Sequence, residues 1–228
     1  MLNFSRLLNL FLIIIFITLF NYNTSAQRKD SGELGISAGG TFYLGDINKI
    51  PFAGTRLSAA AFYRHNINPR YSLTGTFTYG TLYADDAKSK NVFQQQRNKS
   101  FKRSFYELSA VTEFNFIPFL PCDKKYYYTP YVFAGLAVAY YPDGSSMFIT
   151  SIPFGIGFKN TINKNWVFGF YAGMRKTFTD KLDFTYIPPT ENAPKKQKGY
   201  AGNDDWYSVF GISLSYKINY RLKCPAFD

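Results

Sequence analysis

The sequence predicts an all-β protein, an eight-stranded antiparallel transmembrane β-barrel of the outer-membrane type, preceded by a cleaved signal peptide. Eight segments alternate between apolar and small or polar residues, the connections between them alternate in length, and eight charged residues lie on the small or polar faces of their segments. Because successive side chains of a strand point to opposite faces, each segment has one apolar side. Lipid-facing strands of about ten residues, bounded by aromatic girdles, show this pattern.

Residues 1–26 are the predicted signal peptide. Arg6 precedes an apolar run over residues 7–20, and Ser25 and Ala26 stand just before Gln27. The run is shorter than the roughly 20 apolar residues that a membrane-spanning helix needs, and a basic start with a small-residue exit is typical of secretory signals. Residues 27–228 are expected to form one barrel domain, since a membrane without spanning helices is crossed by closed barrels.

The first four strands are predicted in order. Residues 33–44 carry leucine, isoleucine and phenylalanine on one face. Residues 56–64 form the second strand, which ends at the Asn-Pro turn in 65–70. Residues 71–82 alternate tyrosine, leucine and phenylalanine with serine and threonine, and residues 104–116 form the fourth strand.

The last four strands follow the same rule. Residues 129–141 form the fifth, residues 150–159 the sixth and residues 166–177 the seventh. The eighth, residues 206–220, has aromatic residues at both ends of its apolar face, whereas its other face is small or polar.

The connections also favour a barrel. Longer loops follow the odd-numbered strands and mostly shorter turns follow the even-numbered ones. The loops span 45–52, 83–102, 142–148 and 178–205, and the turns span 65–70, 118–127 and 160–165. With an even number of strands, both termini are expected to be periplasmic.

Eight charged residues share parity with the small or polar face of their strands. They are Glu33, Arg56, Arg64, Glu107, Glu113, Lys159, Arg175 and Lys217. An Arg or Lys facing lipid near the midplane costs roughly 2–4 kcal/mol, so these side chains are expected to face the lumen. An eight-stranded barrel is just wide enough for side chains to fill it, which predicts an internal salt-bridge network in a plugged lumen. A soluble sandwich would give the same alternation, but the signal peptide, the loop asymmetry and the aromatic strand ends favour the barrel.

Composition narrows the function classes. The formal net charge is +11 and aromatic residues make up 20% of the chain. The basic residues are scattered and form no nucleic-acid-binding motif, so attraction to an anionic membrane surface explains the charge.

No catalytic, cofactor or metal site is predicted. His65, the only histidine, has no companion ligands and no Ser or Cys at catalytic spacing, so it is interpreted as a rim residue. The acidic pairs 85–86 and 204–205 could hold a divalent ion that bridges lipopolysaccharide phosphates, and the lysines of 195–198 could meet those phosphates directly. Solvated loop residues are the simpler interpretation of both.

Two cysteines, Cys122 and Cys224, both map to the predicted periplasmic end. An oxidising compartment favours a bridge between them. Geometry opposes it, because strands four and eight lie on opposite walls of the barrel. Two unlinked cysteines, or a bond to a partner, are the alternatives.

Several stretches resemble one family in order along the chain. They are ELGISAGGTFYLGDIN (33–48), YGTLYADD (79–86), FYELSAVTEFNFIP (105–118), TPYVFAGLAVAYY (129–141), PFGIGFK (153–159), MRKTFTDKLD (174–183) and the CPAFD ending (224–228). The chain thus resembles the PorG-like family of outer-membrane barrels from Bacteroidetes, associated with the type IX secretion system. The resemblance implies an outer-membrane subunit that contacts the periplasmic PorK–PorN ring and is not a translocation pore.

The leading hypothesis is therefore a non-enzymatic scaffold that anchors or docks a periplasmic protein-secretion assembly. Its expected partners are outer-membrane lipid, lipopolysaccharide and the periplasmic ring proteins. The expected periplasmic contacts are Asn66, Pro69, Arg70, Asp123, Lys124, Lys125, Lys164, Arg221 and Lys223. The alternatives are an adhesin or surface-protection barrel that acts through its outer loops, and a lipid-modifying enzyme.

Overall fold

The chain folds as a closed antiparallel barrel of eight strands, which confirms the predicted fold class. The computed structural model describes residues 31–44, 52, 54–85, 100–119, 127–142, 147–163, 165–178 and 206–218. Each strand pairs with the next, and the last pairs back with the first. The strands are β1 (Ser31–Leu44), β2 (Arg56–Asn66), β3 (Tyr71–Asp85), β4 (Ser100–Asn115), β5 (Tyr128–Tyr141), β6 (Met147–Thr161), β7 (Trp166–Thr177) and β8 (Trp206–Ile218). Within the described residues, no helix is long and apolar enough to cross a membrane.

The hairpin of β3 and β4 is longer than predicted. Its register runs out to the pair of Asp85 with Ser100, so the start of the predicted 83–102 loop and its end are both strand. Alternation continues into this extension, where Leu82 and Ala84 face inward and are buried. At the other end of the sheet, β2 continues through His65 into what was predicted as a turn.

The two mouths of the barrel differ. The end where β1 begins and β8 ends, called here the terminus end, carries the connections after β2, β4 and β6. The opposite mouth, called the loop end, carries the connections after β1, β3, β5 and β7, of which the β7–β8 connection is the longest.

The outer wall is apolar over the middle of the strands. Ile36, Leu136 and Ile156 point outward with 67%, 70% and 65% of their surface exposed. Exposed apolar side chains that form one continuous surface mark a site of contact with a membrane or another protein. Outward-facing aromatic residues are concentrated near both mouths. Examples are Tyr71, Phe114, Trp166 and Tyr216 at the terminus end, and Tyr79, Tyr106, Tyr140, Phe148 and Trp206 at the loop end.

Glycine and aromatic residues fill the lumen together. A Cβ atom at Gly80 of β3 would lie 2.8 Å from the ring of Phe105 on β4. Likewise, the ring of Tyr131 lies directly against inward-facing Gly157. These glycines leave room for large rings to lie against the inner wall.

Candidate functional site

The terminus-end half of the lumen holds a buried ion network of Glu33, Arg64, Glu113 and Lys159. Arg64 Nη1 donates to Glu33 Oε2 at 2.8 Å, and Arg64 Nε donates to Glu113 Oε1 at 3.0 Å. Lys159 Nζ donates to Glu113 Oε2 at 2.9 Å. One guanidinium thus bridges two carboxylates, and one carboxylate bridges two cations.

Neutral donors complete this ion network. Thr74 Oγ1 donates to Glu113 at 2.6 Å, while Asn66 Nδ2 and Ser215 Oγ donate to Glu33 at 2.9 and 3.0 Å. A buried charge is tolerated when it is paired and its remaining lone pairs are bonded. The network therefore ties β1, β2, β3, β4, β6 and β8 together inside the barrel.

A short segment after β4 closes the terminus-end mouth. Phe119 is buried, with Lys159 Nζ 5.3 Å and Lys217 Nζ 5.4 Å from its ring centroid. The segment is hydrogen-bonded to the β2–β3 turn, because Phe119 N donates to Pro69 O at 2.9 Å and Arg70 Nη1 donates to Phe116 O at 3.0 Å. The turn and the segment form one hydrogen-bonded layer across the mouth.

A second ion pair lies nearer the loop end. Arg175 Nη2 on β7 donates to Glu107 Oε1 at 3.3 Å, and Tyr207 Oη donates to Glu107 Oε2 at 2.6 Å. Arg175 Nη1 also donates to the carbonyl oxygens of Gly173 and Val209. Glu107 therefore connects β4 to both β7 and β8.

An aromatic and aliphatic cluster fills the loop-end half of the lumen. Its members are Tyr43, Leu82, Ala84, Phe101, Phe105, Ala139, Tyr141, Ile149, Tyr207 and Val209. Phe105 lies at the centre, with ring centroids 5.5 Å from Tyr207 and 5.9 Å from Tyr141. The guanidinium of buried Arg103 stacks over the Tyr141 ring at 5.1 Å.

A cavity of about 60 Å³ lies between the ion network and the Glu107–Arg175 pair. Serine and threonine side chains line much of it, including Ser37, Thr74 and Ser109. A water molecule needs about 10–15 Å³ of such space and a few polar partners, so the cavity has room for a few waters. It lies inside the barrel.

Seven of the eight charged residues predicted for the lumen lie inside it and are buried. Arg56 does not join them. It lies at the start of β2, beyond the last β2–β3 pair at Ser58 and Gly80, and its side chain is exposed with the guanidinium 4.5 Å above the ring of Tyr83. Its parity is that of the inward-facing residues, but β2 begins at this residue and is not paired with β3 there, so the side chain lies at the rim.

Arg103, Tyr207 and Phe119 were not among the residues predicted for the lumen. Arg103 lies between the predicted 83–102 loop and the predicted strand 104–116, so no parity was assigned to it. Tyr207 was grouped only with the small or polar side of β8, and nothing in the sequence marked it as a partner for Glu107. Phe119 lies after β4, where alternation gives no signal.

Of the residues predicted to face a partner, some lie at the terminus-end surface and one points into the lumen. Arg70 is exposed at the terminus end, and Pro69 supplies a carbonyl to the closing layer. Asn66, predicted to face a partner, instead turns inward to Glu33. His65 lies on the outer wall near this mouth, paired with Leu73 of β3.

Several predicted positions lie outside the described residues. They are residues 1–26, Asp86, Cys122, Asp123, Lys124, Lys125, Lys164, residues 195–198, Asp204, Asp205, Arg221, Lys223 and Cys224. The disulfide therefore stays a prediction. In the described part of the chain, no group of three or more His, Cys, Asp or Glu residues is placed to hold a metal ion.

Comparison with known proteins identifies a family. The family described as "Domain of unknown function (DUF6089)" matches residues 8–225. The chain therefore belongs to the DUF6089 family. No curated protein sequence matches it.

Solved structures of eight-stranded barrels are similar in architecture. Ail, the attachment invasion locus protein of Yersinia pestis, solved with the heparin analogue sucrose octasulfate, is 13% identical with a TM-score of 0.46, over 84% of this chain and 100% of that one. OprG of Pseudomonas aeruginosa is 10% identical with a TM-score of 0.47, over 82% and 96%. Neisserial surface protein A is 13% identical with a TM-score of 0.46, over 83% and 97%. The similarity concerns the barrel alone.

Proposed function

We propose that this member of the DUF6089 family is a non-enzymatic outer-membrane barrel that anchors or docks a periplasmic protein-secretion assembly. The observation that carries the proposal is the filled lumen. Ion pairs occupy one half, an aromatic cluster the other, and Phe119 closes the terminus-end mouth. A barrel filled in this way offers its outer wall to lipid and its mouths to partners.

The outer wall supports a membrane location. It combines exposed aliphatic side chains at mid-strand with aromatic residues near both mouths, while the described strand charges lie in the lumen or near the mouths. A bilayer imposes this arrangement, since a charge near the midplane is expensive and tyrosine and tryptophan favour the interfaces.

The terminus end supports docking. Four hydrogen bonds to backbone oxygens join the β2–β3 turn to the end of β4 and the segment after it. Asn115 N donates to Arg70 O at 2.7 Å, and Phe119 N and Asn115 Nδ2 donate to Pro69 O at 2.9 and 3.0 Å. Arg70 Nη1 donates to Phe116 O at 3.0 Å. Arg70 remains exposed on this layer. A preorganised surface loses little conformational entropy when a partner binds.

The resemblance to the PorG-like family supports a more specific partner. It implies that the periplasmic side contacts the PorK–PorN ring of the type IX secretion system. Both termini would then be periplasmic, on the same side as the closing layer.

The test is crosslinking followed by affinity purification of the barrel from outer membranes. Recovery of a periplasmic lipoprotein and its ring subunit is expected. Replacing residues 67–70 by a generic two-residue turn should reduce recovery, whereas deleting residues 193–199 in the longest connection should leave it unchanged. Recovery of the barrel alone, under conditions that preserve such rings, contradicts the proposal.

A further inference from the structure

We infer that the outer wall binds a phosphorylated lipid, with one acyl chain in a groove over β1–β3 and its headgroup at a basic patch on the loop-end rim. The inference rests on the membrane orientation proposed above. Two neighbouring features carry it, the groove and the patch.

The groove is apolar and has a floor of small residues. Ala38 on β1, with Ala59 and Ala61 on β2, forms the floor. Phe77 and Tyr79 of β3 rise on one side and Ile212 of β8 rises on the other. The groove is open to the outside and has a volume of about 680 Å³. Small residues between large ones make a channel along the wall that suits an extended hydrocarbon chain.

The basic patch lies on β2, β3 and the adjacent β4, toward the loop end. Arg56 of β2 stacks on the ring of Tyr83 at 4.5 Å, and Lys102 of β4 is the register partner of Tyr83. Both cationic side chains are exposed. Among the carboxylates whose side chains the structure describes, none forms an ion pair with Arg56 or Lys102.

Stacking prepares Arg56 to bind an anion. A guanidinium held over an aromatic ring is restrained by that contact, and its N–H donors form the fork that matches phosphate oxygens. Lys102 adds a second positive charge beside it. The pair therefore suits a phosphate group better than a zwitterionic headgroup.

The spacing allows one molecule to occupy both features. On β2, Ala59 is the groove residue nearest the loop end. Arg56 lies three residues before Ala59, which is about 10 Å along the strand toward the loop end. Leu57, 87% exposed, lies between them and continues the apolar surface. In the proposed orientation, this rim meets the outer leaflet, where the phosphorylated lipid is lipid A.

Native mass spectrometry of the full mature chain, folded in detergent micelles, tests the inference with two probes at equal molar ratio. The fraction of barrel that retains diphosphoryl lipid A should exceed the fraction that retains phosphatidylcholine by about tenfold or more. The reason is that charge-assisted hydrogen bonds to phosphate strengthen binding. The double substitution Arg56→Gln and Lys102→Gln should abolish most of that preference. Ala59→Phe, which fills the groove, should reduce retention of lipid A while leaving the patch intact.

The matched control is Lys176→Gln. Lys176 on β7 also lies over an outward ring, Trp206, at 5.8 Å, but away from the groove, so the lipid preference should not change. Heat-dependent gel mobility confirms that each variant is folded.

Equal retention of the two lipids overturns the inference, as does an unchanged preference in the Arg56 and Lys102 variant. A stable dimer that excludes lipid also overturns it, because a second copy would then occupy the groove. These outcomes are separate from the pull-down result, since a periplasmic ring can be recovered whether or not the lipid preference is found.

Discussion

Tyr207 on β8 donates a hydrogen bond of 2.6 Å to Glu107 on β4, and so connects opposite walls of the barrel. Both side chains are buried, and Arg175 supplies the second described donor to the same carboxylate. The loop-end half of the lumen is therefore held by a directional contact as well as by packing.

Tyr207→Phe should destabilise the folded barrel by about 1–3 kcal/mol, because the buried carboxylate of Glu107 loses a donor while the ring remains. Urea unfolding in lipid vesicles measures the loss. Tyr216→Phe is the control. That hydroxyl contacts Asn165 at an exposed site, so the free energy of unfolding should change by less than about 0.5 kcal/mol. Equal costs for the two variants would contradict the assigned role of Tyr207.

Glu113→Gln should cost about 3–5 kcal/mol, since it leaves a buried cation without its counter-charge. Arg64 still has Glu33, so Lys159 is the group most affected. Adding Lys159→Met should therefore restore part of the loss. A double-mutant cycle on unfolding free energies measures the coupling, and simple additivity of the two costs would show that the ion network is not cooperative.

Leu136→Arg tests the membrane assignment. Leu136 lies near the middle of β5 and points outward, so the substitution should cost about 2–4 kcal/mol in a bilayer. Leu57→Arg, near the loop-end rim of β2, should cost only about 0–1 kcal/mol. Unfolding in vesicles compares the two, and the lack of a depth dependence would argue that this wall does not face lipid.

Because its lumen is filled, the barrel is expected not to conduct ions. Reconstituted into planar bilayers, the barrel should produce no stepwise currents under conditions in which a porin conducts. The cavity of about 60 Å³ lies among side chains from several strands. Because the ion network and the aromatic cluster remain in Phe119→Ala, removal of the ring at one mouth should not open a path. Discrete openings of the wild-type protein would refute the plugged lumen.

Parity within strands was enough to predict most of the architecture. The eight strands and the inward position of Glu107 and Glu113 follow from a period of two, because a barrel wall leaves each side chain only two directions. The prediction of Arg56 was wrong because parity sets direction only within the paired part of a strand. Arg56 is the first residue of β2 and lies beyond the last β2–β3 pair.

Other features depend on which strands meet across the lumen. The contact of Glu107 with Tyr207 joins residues 100 positions apart, and its geometry follows from barrel closure and stagger, which alternation does not encode. Arg103 was missed because the β3–β4 hairpin extends into a polar stretch that carries no clear strand pattern. The groove over Ala38 and Ala59 also emerges only when β1 and β2 are placed side by side.

Glu33 lies where the first and last strands of the sheet meet. Its carboxylate accepts from Arg64 on β2 and from Ser215 on β8. While the sheet is still open, the β8 donor is missing and the carboxylate is only partly satisfied. Its full set of donors is present only when β8 pairs with β1, so the carboxylate is fully hydrogen-bonded only after the barrel has closed. This hydrogen bonding therefore stabilises the closed barrel relative to an open, partly formed sheet.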